Sequence, residues 1–586
     1  MKGLNDPMMC EKILAGIIAG FNTPDAEVVL TSIKALRDSL QFAGPLFERE
    51  DTVTFFVDKL MAISQLNNDE VQQGAFNCLS EGVRVWYERI GRLLTGIYEG
   101  TLKGIQSRNP AIVVAATEVW NSIAREEISR KNQSNEEGKQ LMNQRAYNGL
   151  IMQAYNQLSP FILENLVKLD SDEGEEGGLS ASDASFRCLC SFAELIGDQA
   201  FENYARLFAS SLESTVPAGR VAGLYALQAA LEGGTKKLIL EYLYSKLDIF
   251  LRLLEDSSAK VKINTLRLLT RVAELHPELF FEPTVAVNYF PKFAAYIAAP
   301  PVMSLEVSRI LLALGDNLSI LSNMGDSPFY NHISNIINTL LQNIYREDLA
   351  NSHHNIDVSF KALNSYVSSG LNPTMIQELL QLLLERFKQA VQLGGQRGTQ
   401  IQDGLLVSIQ YCLLKYAPEK FNIEMGKEIF NIITTVWQNL KSVTTEGLFV
   451  IGALSYACGS SFIQFMAPFW EFLTFALNKL DEPELLKAGL SCLTDIPRNI
   501  GESFKDYLDQ IVPYLLTLVE NPVLSVDIKF SIFILFGDIA LGVKSHFGKY
   551  LSKVLTVFDQ AFDFIITSSC VLFLFAFLTI RVKAAL

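Results

Sequence analysis

Apolar residues recur at helical spacing along the whole chain, and a short phrase restarts after roughly 40 residues. Each copy opens with a polar turn, continues with a basic or polar residue, and then presents small and apolar residues on one helix face. Copies begin at Asn109, Val216, Asp256, Asp481 and Leu524.

The last copy shows the pattern at its strongest. Four large apolar residues fall on one stripe of a helix, which predicts that this face is buried. They are Val526, Phe530, Phe533 and Phe536. A period of about 40–47 residues with two helices per unit is typical of HEAT and armadillo repeats.

The repeat spacing predicts the fold class. At about 43 residues per unit the chain holds roughly thirteen repeats, which we place over residues 1–563. No sustained period-two alternation is present, so we expect no sheet. Because one unit cannot bury its apolar face alone, the sequence predicts an all-α solenoid of stacked antiparallel helix pairs of HEAT/armadillo type.

Three longer polar segments are predicted to be loops: residues 127–143, 170–184 and 393–403. The second is acidic and rich in Gly and Ser, so its like charges favour an extended loop that suits a cationic partner. A solvated connector is the plainer interpretation of the same composition.

Charge and motifs narrow the function. The chain has 49 basic and 64 acidic residues and a net charge of −15, which disfavours nucleic acid and favours basic protein partners. The five histidines are dispersed, and no HExxH, phosphate-loop or GxSxG motif is present. We interpret His353-His354 as an exposed pair in a polar loop and Glu126-Glu127 as surface charge. We therefore predict no enzyme activity, no metal and no cofactor.

The end of the chain breaks the pattern. Residues 564–580 carry no charge and are followed by Arg581 and Lys583, and 17 residues is the short limit for a membrane span. A tail anchor, a buried last helix and sequence foreign to the natural protein all remain open. We favour the last, because the regular repeats stop at about Asp563, and so expect no membrane partner.

Several segments, read in order, resemble the importin-β family of HEAT-repeat nuclear import receptors. They are residues 13–21 (ILAGIIAGF), 86–100 (WYERIGRLLTGIYEG), 116–127 (ATEVWNSIAREE), 445–459 (TEGLFVIGALSYACG) and 535–555 (LFGDIALGVKSHFGKYLSKVL). The resemblance covers about residues 10–563. The chain begins at what resembles the family's fifth repeat and stops before its last repeats, so we expect a middle fragment or an incomplete gene model without the main Ran-GTP site.

The resemblance implies a nuclear transport receptor that moves between cytoplasm and nucleus through the nuclear pore. Its Phe-Gly nucleoporin slot maps onto Leu14 and Ile18 on one helix and Phe55 and Phe56 on the next. The alternative is that all four are core residues. Adjacent residues on a helix cannot both face one core, so we expect one of the two phenylalanines to be exposed.

The resemblance also assigns Ran and cargo contacts to the acidic residues Asp170, Asp172, Glu173, Glu175 and Glu176. Two tryptophan positions with which the family grips importin-α are Arg267 and Leu312 here, and each lost aromatic platform removes about 0.5–2 kcal/mol. We therefore expect weak importin-α binding, while acidic inner helices could take basic cargo directly. A HEAT-repeat scaffold or adaptor without a transport role is the alternative function.

Overall fold

The computed structural model describes residues 7–40, 47, 49–135, 147–167, 179–323, 329–350, 352–369, 371–416 and 420–565. All regular secondary structure within these ranges is helical, so the all-α prediction is confirmed. The chain divides into two units, Met1–Val285 and Ala286–Leu586.

The first unit is built from six consecutive helix pairs and one short helix. The pairs are α1 (Pro7–Phe21) with α2 (Ala26–Ser39), α3 (Glu50–Ile63) with α4 (Asp69–Ile90), α5 (Leu94–Ile105) with α6 (Pro110–Asn135), α7 (Leu150–Asn165) with α8 (Ala181–Ile196), α9 (Asp198–Ser211) with α10 (Pro217–Ala230), and α11 (Lys236–Leu254) with α12 (Ala259–Leu275). The short helix is α13 (Glu278–Phe281).

The second unit repeats this plan with six pairs and a final helix. The pairs are α14 (Pro283–Ile297) with α15 (Pro301–Asp316), α16 (Tyr330–Ile344) with α17 (His353–Ser369), α18 (Pro373–Leu393) with α19 (Gly395–Leu414), α20 (Ile423–Leu440) with α21 (Thr445–Cys458), α22 (Ile463–Leu477) with α23 (Pro483–Ile500), and α24 (Leu508–Glu520) with α25 (Val526–Val543). The last helix is α26 (Gly548–Ile565). The count of roughly thirteen repeats over residues 1–563 stays a prediction, since parts of that range lie outside the described residues.

Within each unit the second helices of successive pairs pack against one another as a layer, and the first helices form the other layer. The apolar core lies between the two layers. In the first unit it includes the fully buried Trp86 and Trp120, and Trp120 Nε1 on α6 donates to Thr101 Oγ1 on α5 at 2.8 Å. Burying one such side chain stabilises the fold by about 1.5–3 kcal/mol.

Short polar side chains join successive second helices. Ser80 on α4 and Ser122 on α6 share a hydrogen bond of 2.7 Å, and Asn499 on α23 donates to Ser455 on α21 at 2.8 Å. These side chains are small enough to let the helices approach, and each satisfies the polar group of the other. The second-helix layer is therefore held by polar contacts as well as by apolar burial.

Three local predictions need correction. Val526 is the first residue of α25 and is 71% exposed, and Ile528 is instead the buried residue of the first turn. Phe533 and Phe536 are buried as predicted, and Phe530 is half-buried. Residues 393–403 are no loop, since Gly394 at φ +62° makes a tight turn and α19 starts at Gly395. His353 and His354 are exposed as expected, but they form the start of α17 rather than part of a loop.

The other two predicted loops overlap regular helices. Residues 127–135 belong to α6, so the first part of the loop predicted at 127–143 is wrong, and residues 136–146 lie outside the described ranges. The acidic run within 168–178 also lies outside them, and Ala181 already begins α8.

One apolar stretch among the described residues, Thr445–Leu477, is long enough to cross a membrane by length and composition alone. It consists of α21 and α22 joined by the 3₁₀ turn Gly459–Phe462, and 61% of its most apolar part is buried inside the protein. This burial is what two core helices of the array would show. The tail predicted at 564–586 lies outside the described residues from position 566 onward.

Glu127 is fully buried, so its interpretation as surface charge is wrong. Its carboxylate accepts hydrogen bonds from Tyr87 Oη at 2.7 Å and from the backbone N–H groups of Leu150 and Ile151. A carboxylate at a helix N-terminus is favoured by the helix dipole. Glu127 on α6 thereby holds both α4 and the start of α7. Burial, with the hydrogen bond to Glu127, raises the pKa of Tyr87.

We predict that Glu127→Gln lowers the free energy of unfolding by about 2 kcal/mol, because a neutral amide replaces a charged acceptor and its NH₂ group faces backbone donors. Urea denaturation followed by circular dichroism measures the change. Glu99→Gln, on the exposed side of α5, is the control and should unfold like the unaltered protein. Equal unfolding of both variants would show that the Glu127 charge does not hold these helices.

Candidate protein-binding sites

The first helices α1 and α3 are neighbours at the start of the described chain. Lys59 Nζ donates to Asn22 Oδ1 at 3.0 Å, and the rings of Phe21 and Phe56 lie 6.3 Å apart between centroids. Ile18 lies one turn before Asn22, and Phe55 one turn before Lys59. Because first helices of successive pairs run parallel, Ile18 and Phe55 occupy neighbouring positions beside this hydrogen bond.

The four residues predicted to form the slot divide between core and surface. Leu14 is 5% and Phe56 1% exposed, so both belong to the core. Phe55 is 36% exposed and Ile18 is half-buried. The expectation that one of the two phenylalanines is exposed is therefore met by Phe55.

We call the surface formed by Ile18, Phe55, Asn22 and Lys59 the α1–α3 slot. Lys59 Nζ lies 5.9 Å from the centre of the Phe55 ring, within cation–π range. In this slot Ile18 provides an aliphatic surface, Phe55 an aromatic surface and Lys59 a positive charge at the edge. Its assignment to Phe-Gly binding stays a prediction.

The acidic residues assigned to Ran and cargo contact lie outside the described residues, so their role also stays a prediction. They are Asp170, Asp172, Glu173, Glu175 and Glu176.

A cavity of about 960 Å³ opens on the second-helix layer of the second unit. It is bordered by α15, α17 and α19, with one residue from α21, and we call it the acidic groove. Its four carboxylates are Asp316, Asp357, Asp403 and Glu446. Asp357 pairs with Lys361 at 2.8 Å, whereas the other three form no salt bridge with any described residue.

The floor of the acidic groove is apolar. Leu312, Ile356, Phe360 and Val407 contribute to it. A Cβ atom at Gly404 would lie 2.3 Å from the Phe360 ring, so α19 approaches this ring only because residue 404 has no side chain. A floor of this kind beneath carboxylates suits Lys or Arg, whose methylene stem packs on apolar surface while the charged head reaches an acid.

The electrostatics of the groove favour a bound cation. Burial raises the pKa of Asp403 to about 6, and the nearby Glu446 carboxylate adds to the shift. Burial also raises the pKa of Asp316. Unlike Asp357, the Asp403 and Glu446 carboxylates have no salt-bridge partner among the described residues, so a cationic side chain entering the groove would relieve the repulsion between them.

The two positions at which the resemblance expects tryptophan are both on second helices. Leu312 on α15 lines the acidic groove, and Arg267 on α12 in the first unit hydrogen-bonds the side chain of Tyr225.

In the described part of the chain, no group of three or more His, Cys, Asp or Glu side chains could hold a metal ion.

Sequence reasoning missed the acidic groove, although a signal for it was present. Asp316, Asp357, Asp403 and Glu446 follow one another at about 41 to 46 residues, which is the repeat period. The acids nevertheless lie at different positions of their helices, since Asp316 ends α15 whereas Glu446 is in the first turn of α21. The spacing therefore indicates one carboxylate on each of four successive second helices, and the structure is needed to show that all four border one groove.

Comparison with known proteins identifies the fold. A family model described as importin subunit beta-1-like TPR repeats matches residues 296–571. Importin subunit beta-1 of Arabidopsis thaliana is 25% identical over 94% of this chain, which spans 65% of the length of that relative.

Solved structures agree. Kap95 in a complex with Nup1 is 20% identical and superposes with a TM-score of 0.81 over 99% of this chain and 67% of the Kap95 chain. Kap95p from a study of its binding to RanGDP is also 20% identical, with a TM-score of 0.80 over 99% of this chain and 69% of that one. These likenesses establish the solenoid fold. Over nearly its whole length, the chain is therefore related to importin subunit beta-1, as the resemblance in its sequence indicates.

Proposed function

We propose that this protein is a nuclear transport receptor of importin-β type. It would carry protein cargo through the nuclear pore by binding Phe-Gly nucleoporins, and Ran-GTP would drive cargo release. The observation that carries the proposal is the relation to importin subunit beta-1 over 94% of the chain. Such a receptor works in the cytoplasm, the nucleus and the pore, by binding rather than by catalysis.

The α1–α3 slot supplies the nucleoporin contact in this proposal. A Phe side chain that leaves water between Ile18 and Phe55 gains about 1.5–3 kcal/mol. One such contact is weak and dissociates rapidly, and many Phe-Gly repeats on one nucleoporin add up to useful affinity. The complex of the similarly folded Kap95 with Nup1 supports a nucleoporin as a partner.

Ran-GTP would release cargo because the two partners prefer different curvatures of the helical array. A helical-repeat array flexes by small rotations at every interface, so two partners that prefer different curvatures exclude each other. The acidic residues at 170–176 would meet a basic surface of Ran or cargo by charge attraction. The study of Kap95p binding to RanGDP supports Ran as a partner.

The acidic groove would receive a basic segment of the cargo. Asp316, Asp403 and Glu446 supply negative charge without salt-bridge partners among the described residues, and the floor around Phe360 accommodates methylene stems. Because Leu312 stands where the resemblance expects tryptophan, the groove lacks an aromatic platform there. Direct capture of basic cargo therefore fits it better than importin-α does.

The nucleoporin contact can be tested with the single variants Phe55→Ala and Ile18→Ala. We expect each to bind an immobilised Phe-Gly peptide about tenfold more weakly in surface plasmon resonance, because each removes one apolar wall, worth roughly 1.4 kcal/mol. Tyr244→Ala is the matched control, since Tyr244 is an exposed aromatic residue on the first helix α11.

A Ser-Gly peptide of equal length supplies the background in that experiment. Wild-type binding to Phe-Gly no stronger than to Ser-Gly would favour the scaffold function over transport. Equal losses in Phe55→Ala and Tyr244→Ala would remove the α1–α3 slot from the proposal while leaving the function open.

The cargo contact can be tested through pH. We expect a Lys- and Arg-rich peptide to bind several-fold more weakly at pH 5.5 than at pH 7.5, because Asp403 takes up a proton near pH 6. Asp403→Asn should bind weakly at both pH values. Fluorescence anisotropy measures both affinities, and Glu378→Gln, on the exposed face of the first helix α18, is the control. The Asp403→Asn variant leaves in place the other charged side chains that line the groove, namely Glu446, Asp316, Asp357 and Lys361. Unaltered affinity in Asp403→Asn would contradict the assignment.

Thermal unfolding gives a second readout of the same carboxyl. Its pKa is raised in the folded state, so its contribution to stability is present below about pH 4 and is lost as the pH rises through about 6. The melting temperature of Asp403→Asn minus that of the wild type should therefore increase between pH 4.5 and pH 7.5. A difference in melting temperature that does not change with pH would show that burial does not raise the pKa of Asp403 in the folded protein.

A further inference from the structure

The second-helix layer of the first unit carries exposed arginines within a chain of net charge −15. Arg84, Arg125 and Arg187 lie on the three successive second helices α4, α6 and α8. Their side chains make no hydrogen bond or salt bridge to any described residue. These arginines contrast with the carboxylates Asp316, Asp403 and Glu446 of the acidic groove in the second unit.

Two of these arginines share one pocket. Arg125 and Arg187 line a cavity of about 470 Å³ between α6 and α8, which we call the arginine pocket. Ser191 Oγ donates to Asn121 Oδ1 at 2.9 Å across it. Arg125 lies one turn after Asn121 and Arg187 one turn before Ser191, so the two guanidinium groups enter the pocket from opposite ends.

The nearby carboxylates are already engaged. Glu118 accepts both of its hydrogen bonds from Asn121 Nδ2, and Glu126 pairs with Arg130 at 2.8 Å. Glu194 borders the pocket, but the charges that act on it are those of Glu232, Lys131 and Arg271. The lining of the pocket thus holds two guanidinium groups without a partner among the described residues against one carboxylate, Glu194, and carries a net positive charge.

The rest of the pocket suits a peptide rather than a bare ion. Ile128 and Phe186 provide an apolar wall, and the Phe186 ring stacks on Tyr225 with 4.9 Å between centroids. The row also continues beyond the pocket. Ser80 and Ser122 are hydrogen-bonded, and Arg84 and Arg125 each lie one turn beyond these serines on parallel helices. An occupant that follows the row would meet a positive charge on each helix.

We propose that the arginine pocket, extended by Arg84, binds an acidic segment of a partner protein, with Asp or Glu side chains placed on Arg125 and Arg187. Guanidinium groups bind carboxylates through two parallel hydrogen bonds, which gives geometric selectivity as well as attraction. The partner segment carries at least two acidic residues, since the two guanidinium groups approach from opposite ends. This interaction is separate from both the α1–α3 slot and the acidic groove.

The test uses the full chain and two fluorescent ten-residue peptides, one alternating Glu and Ser and the other alternating Gln and Ser. Fluorescence anisotropy should show the Glu peptide binding, with an affinity that falls as salt rises. The double variant Arg125→Gln/Arg187→Gln should bind it at least tenfold more weakly. Arg206→Gln is the matched control, because Arg206 is an exposed arginine on the first helix α9, and it should bind within twofold of the wild type.

Two further measurements keep the result interpretable. The double variant should melt like the wild type, since neither arginine has a partner to lose. Arg187→Lys keeps the charge but loses the paired hydrogen bonds, so its affinity should lie between those of the wild type and the double variant. The proposal fails if the wild type binds the Glu and Gln peptides equally, or if the double variant binds like Arg206→Gln.

Discussion

A helix pair of this chain has one apolar face and can bury it only between its neighbours, and the rest of the structure depends on that constraint. Trp86 and Trp120 lie fully buried between the two layers. The second helices, held close by short side chains such as Ser80 and Ser122, place equivalent residues side by side. Position within a repeat therefore decides whether a residue serves the core or a binding surface.

Surface chemistry follows from the same constraint. Charged residues on neighbouring second helices line one groove, as Asp403 and Glu446 do in the second unit. Arg84, Arg125 and Arg187 lie on three successive second helices of the first unit. One architecture thus brings together charged residues that are far apart in sequence.

The fold could be predicted from the sequence because the repeat period is a property of the whole chain, which single substitutions do not remove. That one of Phe55 and Phe56 is exposed followed from their adjacency, since neighbouring helix residues face different ways, whereas the structure was needed to show that it is Phe55. Burial of Glu127 could not be predicted, because its backbone partners, Leu150 and Ile151, begin another helix more than 20 residues away. The same holds for Val526, whose exposure depends on where α25 starts.

The candidate sites were predicted less completely than the fold. A resemblance assigns single residues, such as Ile18 and Phe55, but a groove needs several helices in register. The acids from Asp316 to Glu446 lie at different positions of their helices, so only the folded array shows that they border one groove. The raised pKa of the Asp403 carboxyl depends on how far this side chain is buried, and the amino-acid sequence does not give that directly.

Gly404 has a mechanical consequence. The hydrogen atom at this position lets α19 rest directly on the Phe360 ring of α17, which sets the step from one second helix to the next. A methyl group there would lie 2.3 Å from the ring, so the ring or the two helices would have to move apart. The close approach of α17 and α19 in the acidic groove thus depends on a side chain that is missing.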